Sequence, residues 1–545
     1  CTSLKAGDLE AAEGTEFPLT LTVLPLENYA FELTFRGDRI DEDRARRIFD
    51  RFLHIVGEFT ADKATTVGEI DRLLPGERAQ VLAHLQGRST DRRRESTLDL
   101  IAARVRQDAS RTAVVFGSSE MTYGDLWASS RAVADALMAR GIKPGDLVGI
   151  GMQRSADLVT VILGVWQAGA AYVPLDPALP DARIETIATL ADLDLIVTDT
   201  DTAGRFSAFD TPLTGADELM AAGDPDRLGD EWVNGPRAYV MFTSGSTGTP
   251  NGVQVLHDGV VNLLESMRRE PGCTERDRLL AVTTIAFDIS VLELFLPLIG
   301  GGTTIIAEAE VAYDGKALSE LIERSRATMM QATPSAWAML LQSGWAGSPG
   351  LKALCGGEPM GKSLARALLP RVASLWNLYG PTETTIWSTC ARISDSHAVQ
   401  IGAPIDHTEL RVLDPSMRDV PFDVPGELYI GGRGVSGGYL DNAELTAARF
   451  LDLDLPQSNE HRWFRTGDLV SLSADGALRF HGRIDNQLKV RGFRIEAGDI
   501  ESHLVGAPGV SSVAVTKRVG PGGDDRLVAF VAPAEQEPVD ATALR

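Results

Sequence analysis

A chain of 545 residues is too long for one ordinary globular domain, so roughly three or four structural units are expected. A composition of 44% hydrophobic and 23% charged residues matches folded proteins and excludes wholesale disorder. The formal charge of −24, from 52 basic against 76 acidic residues, argues against non-specific binding to nucleic acid or to anionic membrane.

No uninterrupted apolar stretch reaches membrane-spanning length; the most apolar region, 159–175, is broken by Gln167, two glycines and Pro174. No secretory segment opens the chain. Cys1, Cys273, Cys355 and Cys390 are widely spaced and form no Cys-x-x-Cys pair, which reads as a reduced, cytoplasmic compartment without disulfide framework or thiolate metal site. A first residue of Cys1 rather than methionine reads as a piece of something longer.

In chain order, Phe31, Leu33 and Phe35 alternate with polar neighbours as a half-buried strand requires. Asp41 is placed to cap a helix whose Ala45, Ile48, Phe49, Phe52, Val56 and Phe59 share one face. Around residues 87–97 the sequence turns polar, with Arg92, Arg93 and Arg94 together, and a solvated linker is favoured over an interaction patch. From about 98 to 480, strand-like and helix-like stretches alternate. Residues 147–152 read as a buried strand, 155–167 as a helix and 170–175 as another strand, a succession that predicts βαβ units and a largely parallel sheet covered by helices. Near 482 a third region begins with GRIDNQLKVRGFRIE, followed by β-rich runs at 510–515 and 527–532.

Residues 238–253, AYVMFTSGSTGTPNGV, run an apolar strand (Tyr239 to Phe242) straight into Thr243, Ser244, Gly245, Ser246, Thr247, Gly248 and Thr249. Glycines let the backbone turn so that several N–H groups face one anion, and the hydroxyls add donors, so this reads as a phosphate cradle. It is not the Gly-x-x-x-x-Gly-Lys loop. The alternative is a flexible surface loop. In NLYGPTETT (377–385), Tyr379 offers a ring for a base, Asn377 a hydrogen-bonding amide, and Glu383 a hard oxygen ligand for Mg²⁺. Alone, Gly380-Pro381 is a turn and Glu383 a surface acid. In FRTGDL (464–469), Asp468 could accept two ribose hydroxyl protons; a β-turn aspartate is the plainer reading.

These motifs together resemble the adenylate-forming superfamily, and within it the adenylation domains of nonribosomal peptide synthetases. The resemblance covers about 98–545. MTYGDL (121–126), WQAGAAYVPLDP (166–177), the loop at 238–253, FDIS (287–290), NLYGPTE (377–383), GELYIGGRGVSGGYL (426–440), FRTGDL (464–469) and GRIDNQLKVRGFRIEAGDIE (482–501) occur in the family's order. Residues 1–87 resemble, more weakly, the C-terminal tail of a condensation domain and linker, without that domain's double histidine. The resemblance implies an α/β fold: a large adenylation core at 98–484 of mainly parallel sheets and packed helices, then a truncated small α+β C-terminal subdomain at 485–545.

It also implies the chemistry. Such domains join an amino acid's carboxylate to the α-phosphate of ATP, expel pyrophosphate, and pass the aminoacyl group to a carrier domain's phosphopantetheine thiol. Carried over by motif, residues 243–249 hold the phosphates and Glu383 ligates Mg²⁺. Tyr379, with the Gly357-Glu358 segment, lines the adenine site, Asp468 and Arg483 hold the ribose, and Asn377 and Thr382 complete the implied nucleotide-binding set. Asp485 is the hinge for the small domain, and Gly492 and Phe493 belong to the thiol tunnel. Thr243, Ser244, Glu383, Arg483 and Asp485 form the implied catalytic set. An upstream condensation domain and a small MbtH-like activator are further implied partners. Two departures stand out. Asn251 replaces the family's lysine, and the chain stops at Arg545, so the family's C-terminal lysine falls outside it.

Asp288, in FDIS, occupies the position that pairs with a substrate α-ammonium; a helix N-cap is the plainer alternative. The other implied pocket positions are Ile289, Leu292, Gln331, Leu354, Gly356, Leu378, Ile386 and Trp387. Leucine and isoleucine walls with an indole leave little room, so glycine is expected, with alanine next. The set also resembles the pocket of glycine-activating domains. An acyl- or aryl-CoA synthetase and a non-catalytic docking module are the rival readings.

Overall fold

A computed structural model of the chain describes residues 17–25, 29–60, 66–90, 95–229, 232, 235–245, 249–485, 487–490, 493–505, 507, 509–519 and 525–534. The chain divides into two compact units. One runs to Leu82 and includes Asp419–Pro421; the other comprises Ala83–Arg418 and the residues from Phe422 onward.

In the first unit, strands Leu19–Pro25 and Tyr29–Phe35 pair antiparallel, with Leu21 opposite Leu33. Asp41 accepts the backbone N–H of Arg44 at 2.8 Å and starts the helix Glu42–Thr60, whose Glu42 and Asp43 suit the positive end of the helix dipole. Phe52 of the expected stripe meets Phe31 edge-on at 5.2 Å. Phe59, at the end of that stripe, is exposed.

The second unit holds three larger sheets. The first orders its strands Asn251–Leu256, Arg237–Thr243, Ala171–Pro174, Leu147–Gly151, Leu195–Thr198 and Leu213–Gly215, all parallel except the first. The connection between Leu147–Gly151 and Ala171–Pro174 is the helix Ala156–Gln167, capped by Ser155, whose hydroxyl accepts from Leu158 N at 3.1 Å. Every residue from Leu158 to Gln167 is buried, which is why this helix is apolar all round rather than on one stripe. The second sheet has nine strands. Its parallel heart runs Val372–Tyr379, Ser348–Gly356, Met329–Ala332, Arg278–Ala281, Thr303–Ile306, Thr112–Phe116, with antiparallel strands at both ends.

Two expectations need correction. The alternation of strand and helix stops near residue 393. Strands Thr408–Leu413, Gly426–Gly432, Phe450–Asp452, Arg462–Leu472 and Leu478–Arg483 form an antiparallel sheet. Turns as short as that at Asp475 cannot carry a parallel crossover, so neighbours must reverse direction. The polar run at 87–97 keeps Arg88, Ser89 and Glu95 exposed, as a solvated stretch should, but the described backbone at its start is paired rather than loose. Gln86 bridges Glu409, Gly87 N donates to Thr408 O at 2.8 Å, and His407 N donates to Arg88 O at 3.0 Å. Edge pairing needs only backbone groups, so polar side chains do not prevent it. Ser96 then opens the helix Thr97–Gln107 in a capping box with Asp99. Arg92, Arg93 and Arg94 lie outside the described residues.

Beyond Arg483 the described segments form two hairpins, Gln487–Val490 with Phe493–Glu496 and Val510–Val519 with Asp525–Pro533, and the helix Ala497–Val505. Both β-rich runs expected here are strands. No helix among the described residues is long and apolar enough to cross a membrane.

Candidate active site

A cleft of about 840 Å³ opens at the carboxyl ends of the parallel strands. Arg237–Thr243 delivers Thr243 and Ser244 to it, Arg278–Ala281 the segment from Val282 to Thr284, Met329–Ala332 the residues Ala332 and Thr333, Ser348–Gly356 the residue Gly357, and Val372–Tyr379 the residues Tyr379 and Gly380. Parallel sheets place ligand sites there because every crossover loop starts at that edge.

The strand into the phosphate loop is buried from Ala238 to Met241, which fixes where Thr243 and Ser244 emerge. At Gly245 a Cβ would lie 2.1 Å from the carbonyl oxygen of Thr249, so only glycine lets the loop's two arms approach. Ser246, Thr247 and Gly248 lie outside the described residues. Thr249 is described but does not line the cleft. Asn251 opens the return strand opposite Thr243, and its Oδ1 accepts from Asn442 Nδ2 at 3.3 Å.

Of the residues expected around the nucleotide, Tyr379, Thr382, Gly357, Asp468 and Arg483 line the cleft, whereas Asn377, Glu358, Glu383 and Asp485 do not. Asn377 is buried, and its amide donates to Gln400 O at 2.8 Å. Glu358 accepts from Ser335 Oγ at 2.8 Å. Asp468 is no turn residue: it sits within the strand Arg462–Leu472, opposite Arg483, accepting from Tyr379 Oη on one oxygen and from Arg483 Nη1 at 2.8 Å on the other. A carboxylate offers about four lone-pair sites, so two remain for hydroxyl donors. Arg483 also grips Asp485 as a fork, through Nε at 2.6 Å and Nη2 at 2.7 Å. Burial pushes the Asp485 carboxyl up, but the Arg483 hydrogen bonds and charge outweigh it and hold the group below the usual range. Burial, then the charge of Asp468, raises the Tyr379 phenol well above its ordinary value, keeping it a donor. Gly492 lies outside the described residues, and Phe493 begins the strand Phe493–Glu496.

Glu383 sits in the turn Thr382–Thr384, fully buried, accepting from Tyr439 Oη at 2.8 Å. Among the described residues no three His, Cys, Asp or Glu side chains gather to hold a metal. A Mg²⁺ that takes its other ligands from phosphate and water asks for only one or two carboxylates; Glu383, buried behind the cleft wall rather than lining it, is the carboxylate the motif offers. The two residues after the turn, Thr385 and Ile386, both adopt positive φ (61° and 69°). For a β-branched side chain this is strained, and the strain is held by Thr385 Oγ1 donating to Gly434 O at 2.7 Å and by Trp387 N donating to Thr385 O at 2.8 Å. The next residue, Trp387, is thereby aimed at the cleft.

Asp288, Ile289, Ile386 and Trp387 line the cleft; Leu292, Gln331, Leu354, Gly356 and Leu378 are buried behind it. Asp288 occupies the N-cap position of the helix Ile289–Gly300, yet its side chain makes no capping hydrogen bond. It is only 8% exposed. Tyr172 and Tyr239 have their phenols raised by burial and then by the charge on Asp288. Trp387 is 1% exposed, and a Cβ on Gly356 would fall 2.5 Å from the far edge of its indole, so no cavity lies between them.

Three features in and around the cleft have no counterpart among the sequence expectations. Arg183 lines the cleft. Asp176 accepts from the hydroxyl of the cleft residue Thr284; it stands in the motif WQAGAAYVPLDP, but only folding brings residue 284 to it. Glu293 is wholly buried one turn beyond Ile289, with burial pushing its carboxyl up. Its signal is legible: a lone charge within the apolar helix sequence ISVLELFLPLIG.

The AMP-binding enzyme family matches residues 101–440. Among curated relatives, a component of the linear gramicidin synthase of Brevibacillus parabrevis is 35% identical over 549 residues, covering 99% of this chain and 7% of that protein. A dimodular nonribosomal peptide synthase of Bacillus subtilis is 35% identical over 547 residues, covering 96% of this chain and 23% of that protein. The chain therefore spans less than a quarter of either relative. Among solved structures, a four-domain nonribosomal peptide synthetase bound to AMP and glycine superposes with a TM-score of 0.81 at 36% identity, over 97% of this chain and 40% of that one. An artificially fused adenylation–PCP di-domain from Klebsiella oxytoca shares the fold, with a TM-score of 0.74 at 24% identity over 84% of this chain and 91% of that one.

Proposed function

Because the chain belongs to the AMP-binding enzymes, as an amino-acid-adenylating ligase of the nonribosomal peptide synthetase kind, we propose that it activates glycine as glycyl-AMP for a carrier-bound phosphopantetheine thiol. The reading rests chiefly on one observation: a buried carboxylate, Asp288, faces a cleft whose neighbouring wall is Trp387 pressed against Gly356. The carboxylate attracts an α-ammonium through a charge-assisted hydrogen bond. The indole takes up the room beside Gly356, and on this reading larger side chains would have to overpack that wall. The 36% identical structure that holds AMP and glycine supports the same choice.

In this reading the substrate carboxylate attacks the α-phosphorus in line, and pyrophosphate leaves. Catalysis is then positioning and charge neutralisation. Thr243, Ser244 and the loop through Thr249 hold phosphate oxygens. Glu383 would hold a Mg²⁺, which would neutralise charge on those oxygens, Tyr379 and Gly357 face the adenine, and Asp468 with Arg483 holds the ribose. Asn377 and Glu358 act from behind the cleft wall. Asp485 is the residue about which the small subdomain turns, and a carrier domain, an upstream condensation domain and an MbtH-like protein are partners.

The test is amino-acid-dependent ATP–pyrophosphate exchange across the twenty amino acids. Glycine gives the largest response, alanine the next, and a best response to leucine, phenylalanine or an acidic residue overturns the assignment. Trapping of product on CoA rather than on a carrier thiol would identify an acyl-CoA synthetase. ATP binding without any exchange would identify a docking module.

A further inference from the structure

Glu293 touches neither the cleft nor solvent, yet it ties together three stretches that form the pocket wall. Its Oε2 accepts from the backbone N–H of Val282 at 2.8 Å and of Thr283 at 2.9 Å. Its Oε1 accepts from Thr283 Oγ1 at 2.7 Å and from Gln331 Nε2 at 3.0 Å. Val282 and Thr283 line the cleft. Gln331, also fully buried, gives the other hydrogen of the same amide nitrogen to Ile289 O at 2.9 Å and accepts at Oε1 from the indole of Trp387 at 2.8 Å.

The direction of the Gln331 amide follows from its surroundings. A carboxylate oxygen and a carbonyl oxygen on one side can only accept, so the NH₂ must face them. The carbonyl oxygen is thereby turned to the indole N–H. Reversing the amide would oppose acceptor to acceptor at Glu293 and donor to donor at Trp387, in an interior where neither group can find water.

We propose that Glu293 is a positioning residue for substrate selection: through Gln331 it holds the Trp387 indole against Gly356, and so limits the pocket to the smallest α-amino acids. This rests on the glycine reading above. Exchanging the carboxylate for an amide removes one acceptor and sets an N–H₂ against donors, with little change of volume.

The experiment measures kcat/KM for glycine, alanine and 2-aminobutyrate by pyrophosphate exchange, together with KM for ATP. Folding is monitored by thermal denaturation. In Glu293→Gln the alanine-to-glycine ratio of kcat/KM rises about tenfold, the scale on which a pocket weighs one methyl group, while KM for ATP stays within about twofold of the parent. A folded Glu293→Gln protein with an unchanged ratio overturns the proposal. So does one that loses activity equally toward all three amino acids and ATP, the mark of a merely structural post. Should Glu293→Gln not fold, Gln331→Met carries the same expectation and the same refutation. Failure of the glycine reading is visible separately, in the parent protein, as a preference for another amino acid; Glu293 is then judged by whether its substitution alters that preference.

Discussion

Gly356 carries a constraint no other residue type satisfies. A Cβ there would stand 2.5 Å from the Trp387 indole and 2.8 Å from the carbonyl oxygen of Leu378. Gly356→Ala should cost about 1–3 kcal/mol, the usual range for overpacking, and should lower glycine-dependent exchange. Chemical denaturation and exchange assays check both, and an unaltered stability would mean the indole has room to retreat. Asn251 poses the opposite case, a residue that can gain a function. A lysine there adds an ammonium beside the phosphate loop, a contact worth about 1.5–3 kcal/mol when well formed, at the expense of the weak Asn442 hydrogen bond. Asn251→Lys is expected to raise the exchange rate; an equal or lower rate counts against the loop's assignment to phosphate. For single residues the sequence displays types but not their surroundings. Asp288 and Trp387 are legible from motifs, whereas the strain at Thr385 and Ile386 comes from backbone dihedrals that no composition encodes.

The hairpin of strands Arg462–Leu472 and Leu478–Arg483 works as one element because Arg483 binds Asp468 on the first strand, Thr466 O at 3.1 Å, and Asp485 beyond the second. Lysine cannot reproduce a planar fork. Arg483→Lys should therefore raise KM for ATP by about tenfold or more, with kcat for glycine less affected; an unchanged KM would remove Arg483 from the nucleotide site. The helix His257–Met267 offers a pH signature instead. His257, at its start, lies edge-on to Trp166 at 5.4 Å with Nε2 buried and unpartnered among the described residues. Burial lowers its pKa to about 4 from the ordinary 6.5. The unfolded chain thus takes up the proton first as pH falls, so His257's contribution is whole above about 6.5 and is lost between there and about 4. The loss is on the order of 3 kcal/mol. Denaturation midpoints at pH 7 and 4.5 should converge in His257→Leu relative to the parent; equal pH slopes would refute the burial argument. Helices and strands are legible in the sequence wherever the apolar pattern is strong, as in Ala156–Gln167.

Across the fold the net charge of −24 opposes the approach of a polyanionic nucleotide, while within the cleft Arg183 and Arg483 stand beside Asp288 and Asp468, so attraction there is local and short-ranged. Salt shortens the screening length from about 30 Å at 0.01 M to about 10 Å at 0.1 M, removing the long-range repulsion before the local attraction. KM for Mg-ATP should fall over that range; a rise would mean the cleft cations dominate at distance. That a strand feeds a glycine-rich loop, that Asp288 follows an aromatic in a cleft-forming segment, and that parallel βαβ units build most of the core can all be read from the chain before it folds, because each is written in neighbouring residues. That residues 403–483 run antiparallel, that Asn377 turns away from the cleft, and that Glu293 reaches Trp387 through Gln331 emerge only once the chain is packed. Those contacts join residues tens of positions apart, and hydrogen-bond saturation in a dry interior is a property of the assembled neighbours, not of any one segment.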